Sequence, residues 1–321
     1  MFLSRKWTAL LAIFAVAVLT PPAQAHQQSP QMQKVIEAEQ LVNQGNPDGA
    51  LAIVQALIAE NPEFAPAYFI AGIAYEAKEK GGATGDAKTE LCQNAYDSFM
   101  KAAEYQPGWG IAHRMASMHA ADRGDLGESW QQAIKAHQSG TDMSDAFAGL
   151  GSMSEKPADL EQQLAVKRVF VGPVDTETFE NQADSALSGG SGGAASARTD
   201  VGRRVVNETR ADLLQMQQEA QRQLADSRSF GVVQRQEMAN YIMVFEVDYI
   251  SDTQRAGDRD RASQNRRREL RGVVKLVDVQ SGEEAYRRRI EFRDISSRSD
   301  LNRDFSQLMS IMEEWAAETL R

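Results

Sequence analysis

APAYFIAGIAYEAKEKGGATGDAKTELCQNAYDSFMKAAEYQP, residues 65–107, sets the architecture of the whole chain. It lies in a first half rich in alanine and helix formers. Gly72 and Ala95 carry little or no side chain, which lets two helices of a hairpin approach closely, while Tyr68, Tyr75 and Phe99 fill the space between neighbouring hairpins. One such hairpin alone leaves an apolar face wet, and stacking about three of them buries those faces in a continuous core. Lys78 to Lys88, with Gly81, Gly82 and Gly85, falls between the two helices and is expected to lengthen the loop that joins them.

Working outward, Pro62 closes a preceding unit of about 34 residues, so that units start at Gln31, at Ala65 and, after the insertion, at Gly110. In the middle unit Tyr68, Ala71, Gly72 and Tyr75 are followed by Ala95, Phe99, Ala102 and Pro107; the first unit keeps Gly45, Ala50, Val54, Leu57 and Pro62; the third keeps Ala116, Ser117, Gly124, Trp130, Ala133 and Ala136. Over residues 31–143 this pattern resembles the tetratricopeptide repeat family. Weak terminal units fit, since each has one neighbour to pack against. The resemblance implies an α–α superhelical array over residues 26–160. Phe147 and Leu150, before Pro157, are expected to cap the last hairpin. It also implies a peptide-binding inner face on the first helices of the units, formed by Phe69, Ile73, Glu76, Ile111, Arg114 and Met118, with Met32, Val35 and Glu39 continuing it.

From residue 161 the pattern changes. Val169-Phe170-Val171 is a β-branched run that stops at Pro173, as a strand buried on both faces would. Residues 181–200 include the run Ser188 to Gly193 and are too rich in Gly, Ser and Ala to pack, so a disordered loop is expected there. A helix follows from about Asp200 to Ala225, capped by Asp200 or Thr199. Phe230 to Val233 and Tyr241 to Ile250 read as strands, the second with Met243, Phe245, Val247 and Tyr249 on one side and Glu246 and Asp248 on the other. Leu270 to Val279 and Glu284 to Arg293 form a hairpin, and a last helix buries Leu301, Phe305, Leu308, Met312 and Trp315. The order describes a mixed-sheet α/β domain over 161–321, so the fold class is α + α/β. The opening strand, Leu224 to Arg235, Ala239-Asn240-Tyr241 and Leu276-Val277-Asp278 with Ser281-Gly282-Glu283 resemble the domain shared by the penicillin-binding-protein activator LpoB, the curli secretion protein CsgG and the N-terminal domain of TolB.

Arg5 and Lys6 precede an apolar run from Thr8 to Thr20, and Ala23-Gln24-Ala25 supplies the small residues of a cleavage site. Residues 1–25 are thus expected to be a cleaved signal peptide, giving a periplasmic protein with no stable membrane insertion. Net charge is −10, and loss of Arg5 and Lys6 makes it more negative. Nucleic acid, which demands a clustered basic surface, is therefore not the expected partner. Cys92 has no second cysteine to pair with in the chain, so hydrophobic cores must hold the fold; a buried inert thiol and an intermolecular bridge are the two readings left open.

No catalytic or cofactor-binding residue emerges. Gly193 is followed by Ala194-Ala195-Ser196, without the lysine and Ser/Thr that a phosphate-cradling loop requires. His113, His119 and His137 do not share an i, i+4 face, so no metal site is expected. Glu246 and Asp248 share a strand face as paired catalytic carboxylates can, but with no partnering serine, histidine or lysine they read as a solvated, ion-paired face. Arg255 to Arg271, a dense basic segment, reads as a solvated hairpin loop, with an acidic partner as its alternative. The expectation is a protein-interaction or scaffold protein that holds an envelope protein or peptide and is not an enzyme. An accessory of envelope assembly comes first, an accessory of a secretion or surface-assembly apparatus second, and a hydrolase a distant third.

Overall fold

A computed structural model describes residues 29–175, 194–254 and 266–320; the segment read as a signal peptide, most of the glycine-rich segment and the centre of the arginine-rich segment lie outside the described residues. The N-terminal part is helical, with hairpins α1 (Pro30–Asn43) and α2 (Pro47–Glu60), α3 (Ala65–Lys80) and α4 (Gly85–Tyr105), and α5 (Gly110–Asp122) and α6 (Leu126–Gln138). Prolines open α1 and α2, where a missing N–H costs no helical bond. Asn46 and Asp125 cap α2 and α6 by accepting from the backbone N–H of Gly49 and Glu128 at 3.0 and 3.1 Å. The insertion does not lengthen a loop. It extends both middle helices, to 16 and 21 residues, and leaves only Gly81 to Thr84 between them.

Small residues let the helices meet. Ala38, Ala50, Ala67, Ala71, Ala74, Ala95, Ala102, Ala112 and Ala116 are buried together with Val54, Leu57 and Phe99. A Cβ on Gly72 would lie 2.6 Å from the Phe99 ring, so that contact exists only because the position is glycine. In the third hairpin Ser117 takes the corresponding place and bonds instead of packing. Its hydroxyl donates to the carbonyl of Ser129 at 2.8 Å, and that of Ser129 donates back to the carbonyl of Ser117 at 2.8 Å. Beside them His113 Nδ1 lies 2.7 Å from Gln132 Oε1, and burial pushes the imidazole pKa down to about 4, so it is neutral near pH 7. The hairpin is closed by α7 (Ser144–Met153), whose Phe147 stacks on Trp130 with centroids 5.8 Å apart and whose Leu150 is buried, as the sequence leads one to expect. A short α8 (Leu160–Leu164) leads into the second part.

That part is a mixed five-stranded sheet in the order β2-β1-β3-β4-β5, from β1 (Lys167–Asp175), β2 (Phe230–Val233), β3 (Tyr241–Gln254), β4 (Arg266–Asp278) and β5 (Glu284–Phe292). Strand β1 is parallel to both β2 and β3, and the other pairings are antiparallel. Helices α9 (Ala194–Ala225) and α10 (Arg298–Thr319) share one core with it, in which Met216, Ala220 and Leu224 meet Val169 and Val171, while Phe305 packs on Phe245 and Phe292. The chain is therefore a helical part followed by a mixed α/β part.

Four local expectations need correction. Strand β1 does not stop at Pro173 but crosses it through a register shift between Val171 and Val174, which accommodates a residue with no N–H to donate. Helix α9 starts at Ala194 rather than near Asp200, because Ala194-Ala195-Ser196-Ala197 are good helix residues despite following glycines. In β3 a shift between Val247 and Tyr249 turns Tyr249 outward, 47% exposed, and Ile250 inward. Strand β4 also starts inside the arginine-rich segment, so Arg266 to Glu269 are strand residues and not a loop, while β3 runs up to that segment at Gln254.

The two parts meet along β2, the outer strand. A Cβ on Gly231 would sit 2.7 Å from the carbonyl oxygen of Gln138 at the end of α6, and one on Gly108 would sit 2.8 Å from that of Val232. Main chain thus rests on main chain. Gln234 spans the junction, donating through Nε2 to the Pro107 carbonyl at 2.6 Å and accepting from Gln106 at 3.1 Å. Gly231→Val should force these backbones apart. Each part should keep its circular dichroism while the radius of gyration by small-angle scattering rises; an unchanged radius would refute the contact.

Candidate functional site

The inner-face residues do not stand as one exposed groove. Phe69 is 5% exposed, stacked on Trp109 with centroids 4.6 Å apart and set edge-on to Phe99 at 5.4 Å, so it belongs to the core. Val35 is buried too. Ile73, Glu76, Arg114 and Met118 are half-buried, with Glu76 ion-paired to Lys80 one turn on. Ile111 alone of the six is exposed, at 36%. Trp109 accounts for the difference. It sits in the short connection between α4 and α5 and covers the ring that the first-helix position would otherwise present.

On the sheet, Glu246 accepts from Lys275 at 2.5 Å, and Asp248 lies 3.6 Å from Arg289. Lys275 also reaches Glu284 at 3.6 Å, and Glu284 reaches Arg287 at 3.1 Å. Lys275 of β4 thus bridges carboxylates on both neighbouring strands, and Arg289 of β5 reaches across β4 to Asp248 of β3, the arrangement of a solvated, charge-laced sheet face. Arg268, from the arginine-rich segment, is buried and paired with Asp212 of α9. It ties helix to sheet.

Sequence reasoning missed a cleft of about 440 Å³ between β5 and α10. Arg288, Arg289, Arg293 and Arg303 line it with the acidic Glu291 and Asp304, the latter paired with Arg303 at 3.2 Å, and Ile290, Phe292, Leu308 and Ile311 supply its apolar wall. Strand β5 is the second outer strand, with β4 as its neighbour, and Glu284, Arg287, Arg288, Arg289 and Glu291 along it are exposed. The alternation of arginine with apolar residues was legible. That α10 would stop short of covering the strand was not.

A second grouping crosses the long middle hairpin. Cys92 of α4 and His119 of α5 are 5% and 3% exposed, with Sγ 3.5 Å from Nδ1. Glu79 of α3 is the third member, and one ligand atom from each lies within 4.8 Å of the others. Burial raises the Cys92 thiol pKa and lowers that of His119, so at neutral pH both are uncharged and the pair is not an activated thiolate–imidazolium. Among the described residues this is the sole set of three or more potential metal ligands. One-helix spacing could not reveal it, because each ligand comes from a different helix.

The burial contrast is testable. Phe69→Ala should lower stability in urea by about 3–5 kcal/mol, as expected for a truncated core ring, and Ile111→Ala by about 0.5 kcal/mol. Similar losses at both positions would contradict this placement. No protein-family profile matches the chain and no curated protein shows significant similarity to it, so the choice among these surfaces rests on their geometry and chemistry.

Proposed function

We propose that the chain is a periplasmic protein-interaction or scaffold protein of the cell envelope and not an enzyme. Its helical part is of the tetratricopeptide type, and its second part is of the type shared by LpoB, CsgG and the N-terminal domain of TolB. Export is supported by the charged, apolar and small-residue segments of residues 1–25. An accessory role in peptidoglycan or outer-membrane assembly is the first choice of setting, and a secretion or surface-assembly apparatus the second.

The observation that carries this reading is the unequal treatment of the two sheet edges. Strand β2 is covered by the ends of the helical hairpins, whereas β5 lies open beside a cleft whose lining carries four arginines against two carboxylates, in a chain of net charge −10. Proteins normally blunt an open edge with charge, and β5 is blunted that way, so an incoming strand has to be complementary. An extended acidic segment fits. Its main chain adds to β5 while its carboxylates meet the arginines. A second reading, that the partner lies on the α3 and α5 face, is favoured by exposed Ile111 beside half-buried Ile73 and Met118.

A photo-crosslinking residue placed at Arg289 or at Ile111, one at a time, distinguishes them in living cells. A discrete protein adduct from position 289 and none from 111 is the expected outcome. The converse would move the site to the helical part, and no adduct from either position would remove the support for an interaction role.

A further inference from the structure

We propose that Glu79, Cys92 and His119 form a zinc(II) site that staples the middle helical hairpin to the third. Three observations converge on it. The first is composition: thiol, imidazole and carboxylate are the zinc ligands of proteins, and the carboxylate disfavours copper(I), which selects soft sulfur. The second is spacing. Zinc with S and N ligands at about 2.3 and 2.0 Å in tetrahedral arrangement holds those atoms about 3.5 Å apart, and Cys92 Sγ and His119 Nδ1 are 3.5 Å apart. The third is orientation. His119 stacks on Phe99 with centroids 5.6 Å apart and 23° between planes, which fixes its ring, while Glu79 keeps 11% of its side chain exposed and can swing by the small distance that closes the set.

The insertion is what makes the site. Glu79 lies in the last turn of α3 and Cys92 in the second turn of α4, beside the short 81–84 connection. The local charges are mixed. Glu76 and Asp122 add negative potential at His119 and Lys80 opposes it, while at Cys92 Arg123 and Lys88 oppose Asp122, with Lys88 3.8 Å from Glu79. A bound ion would replace that long Lys88 contact and displace the thiol proton to solvent as the thiolate–zinc bond forms. Three protein ligands leave the fourth position to a non-protein ligand such as water. The three come from α3, α4 and α5, so a bound ion would hold those helices together.

The test uses the untagged, reduced full-length protein. Cobalt(II), which reports the geometry of a zinc site, should give a thiolate-to-metal charge-transfer band and strong tetrahedral visible bands at one equivalent, both removed by zinc. In a competition titration against a chromophoric chelator, Glu79→Gln, at a partly exposed position, should weaken zinc by about 10-fold or more, and Cys92→Ser by more than about 100-fold, beyond the roughly 10–100-fold that outer-shell changes cause. Lys88→Ala should tighten it. Zinc should also raise the melting temperature of the parent protein and not that of Cys92→Ser. Absence of the charge-transfer band, affinities unchanged by Glu79→Gln, or a preference for copper(I) over zinc would overturn the assignment. Circular dichroism of the metal-free variants separates lost binding from lost folding.

Discussion

At Gly231 the backbone of an outer strand lies so close to the carbonyl of Gln138 that no side chain fits between them, and Gly108 repeats the arrangement against Val232. The rest of the molecule depends on this contact. An uncovered outer strand presents unpaired amides and carbonyls and invites association with other chains. Here the helical part supplies the cover, and because main chain meets main chain, little freedom is left in how the two parts are set. Gln234 fixes the register of the junction through Pro107 and Gln106, and the Arg298–Glu63 pair at 2.8 Å adds a second, exposed point farther away. With one edge closed in this way, the opposite edge, at β5, is the one left open.

Polar interactions divide by burial. The Glu246–Lys275 and Asp248–Arg289 pairs sit on a wet face and each contributes at most about 1 kcal/mol. Arg268 and Asp212, with 10% and 15% of their side chains exposed, are another matter. Removing either one strands a largely desolvated charge, so this pair specifies where α9 lies on the sheet more than it stabilises the fold. The Ser117–Ser129 exchange in the third hairpin has a similar character. Both hydroxyls find an acceptor only when α5 and α6 are correctly aligned.

Much of this architecture was legible in the sequence because burial leaves a period. The hairpins showed through Gly72, Ala95 and Phe99, the capping helix through Phe147 and Leu150, and the strand and helix order of the second part through alternation in residues such as Met243, Phe245 and Val247. What escaped was set by events that leave no period. A bulge at Asp248 exchanged Tyr249 for Ile250, and the two ends of the insertion became helix because their helical neighbours extend over them, leaving Gly81 to Thr84 as the turn. Phe69 was placed in a groove by its position in the repeat, yet Trp109, outside the helices, folds over it. Glu79, Cys92 and His119 are separated along the chain and assembled only by packing.

The most direct test of the account is amide hydrogen exchange on the intact protein, compared between the two outer strands. Amides of β2 that point away from β1 should exchange slowly, at rates near those of the sheet interior, because the hairpin ends cover them. Amides of β5 that point away from β4 should exchange orders of magnitude faster. If the outward amides of both strands exchange at the same rate, the helical part does not cover β2, and the division into one closed edge and one open edge is wrong.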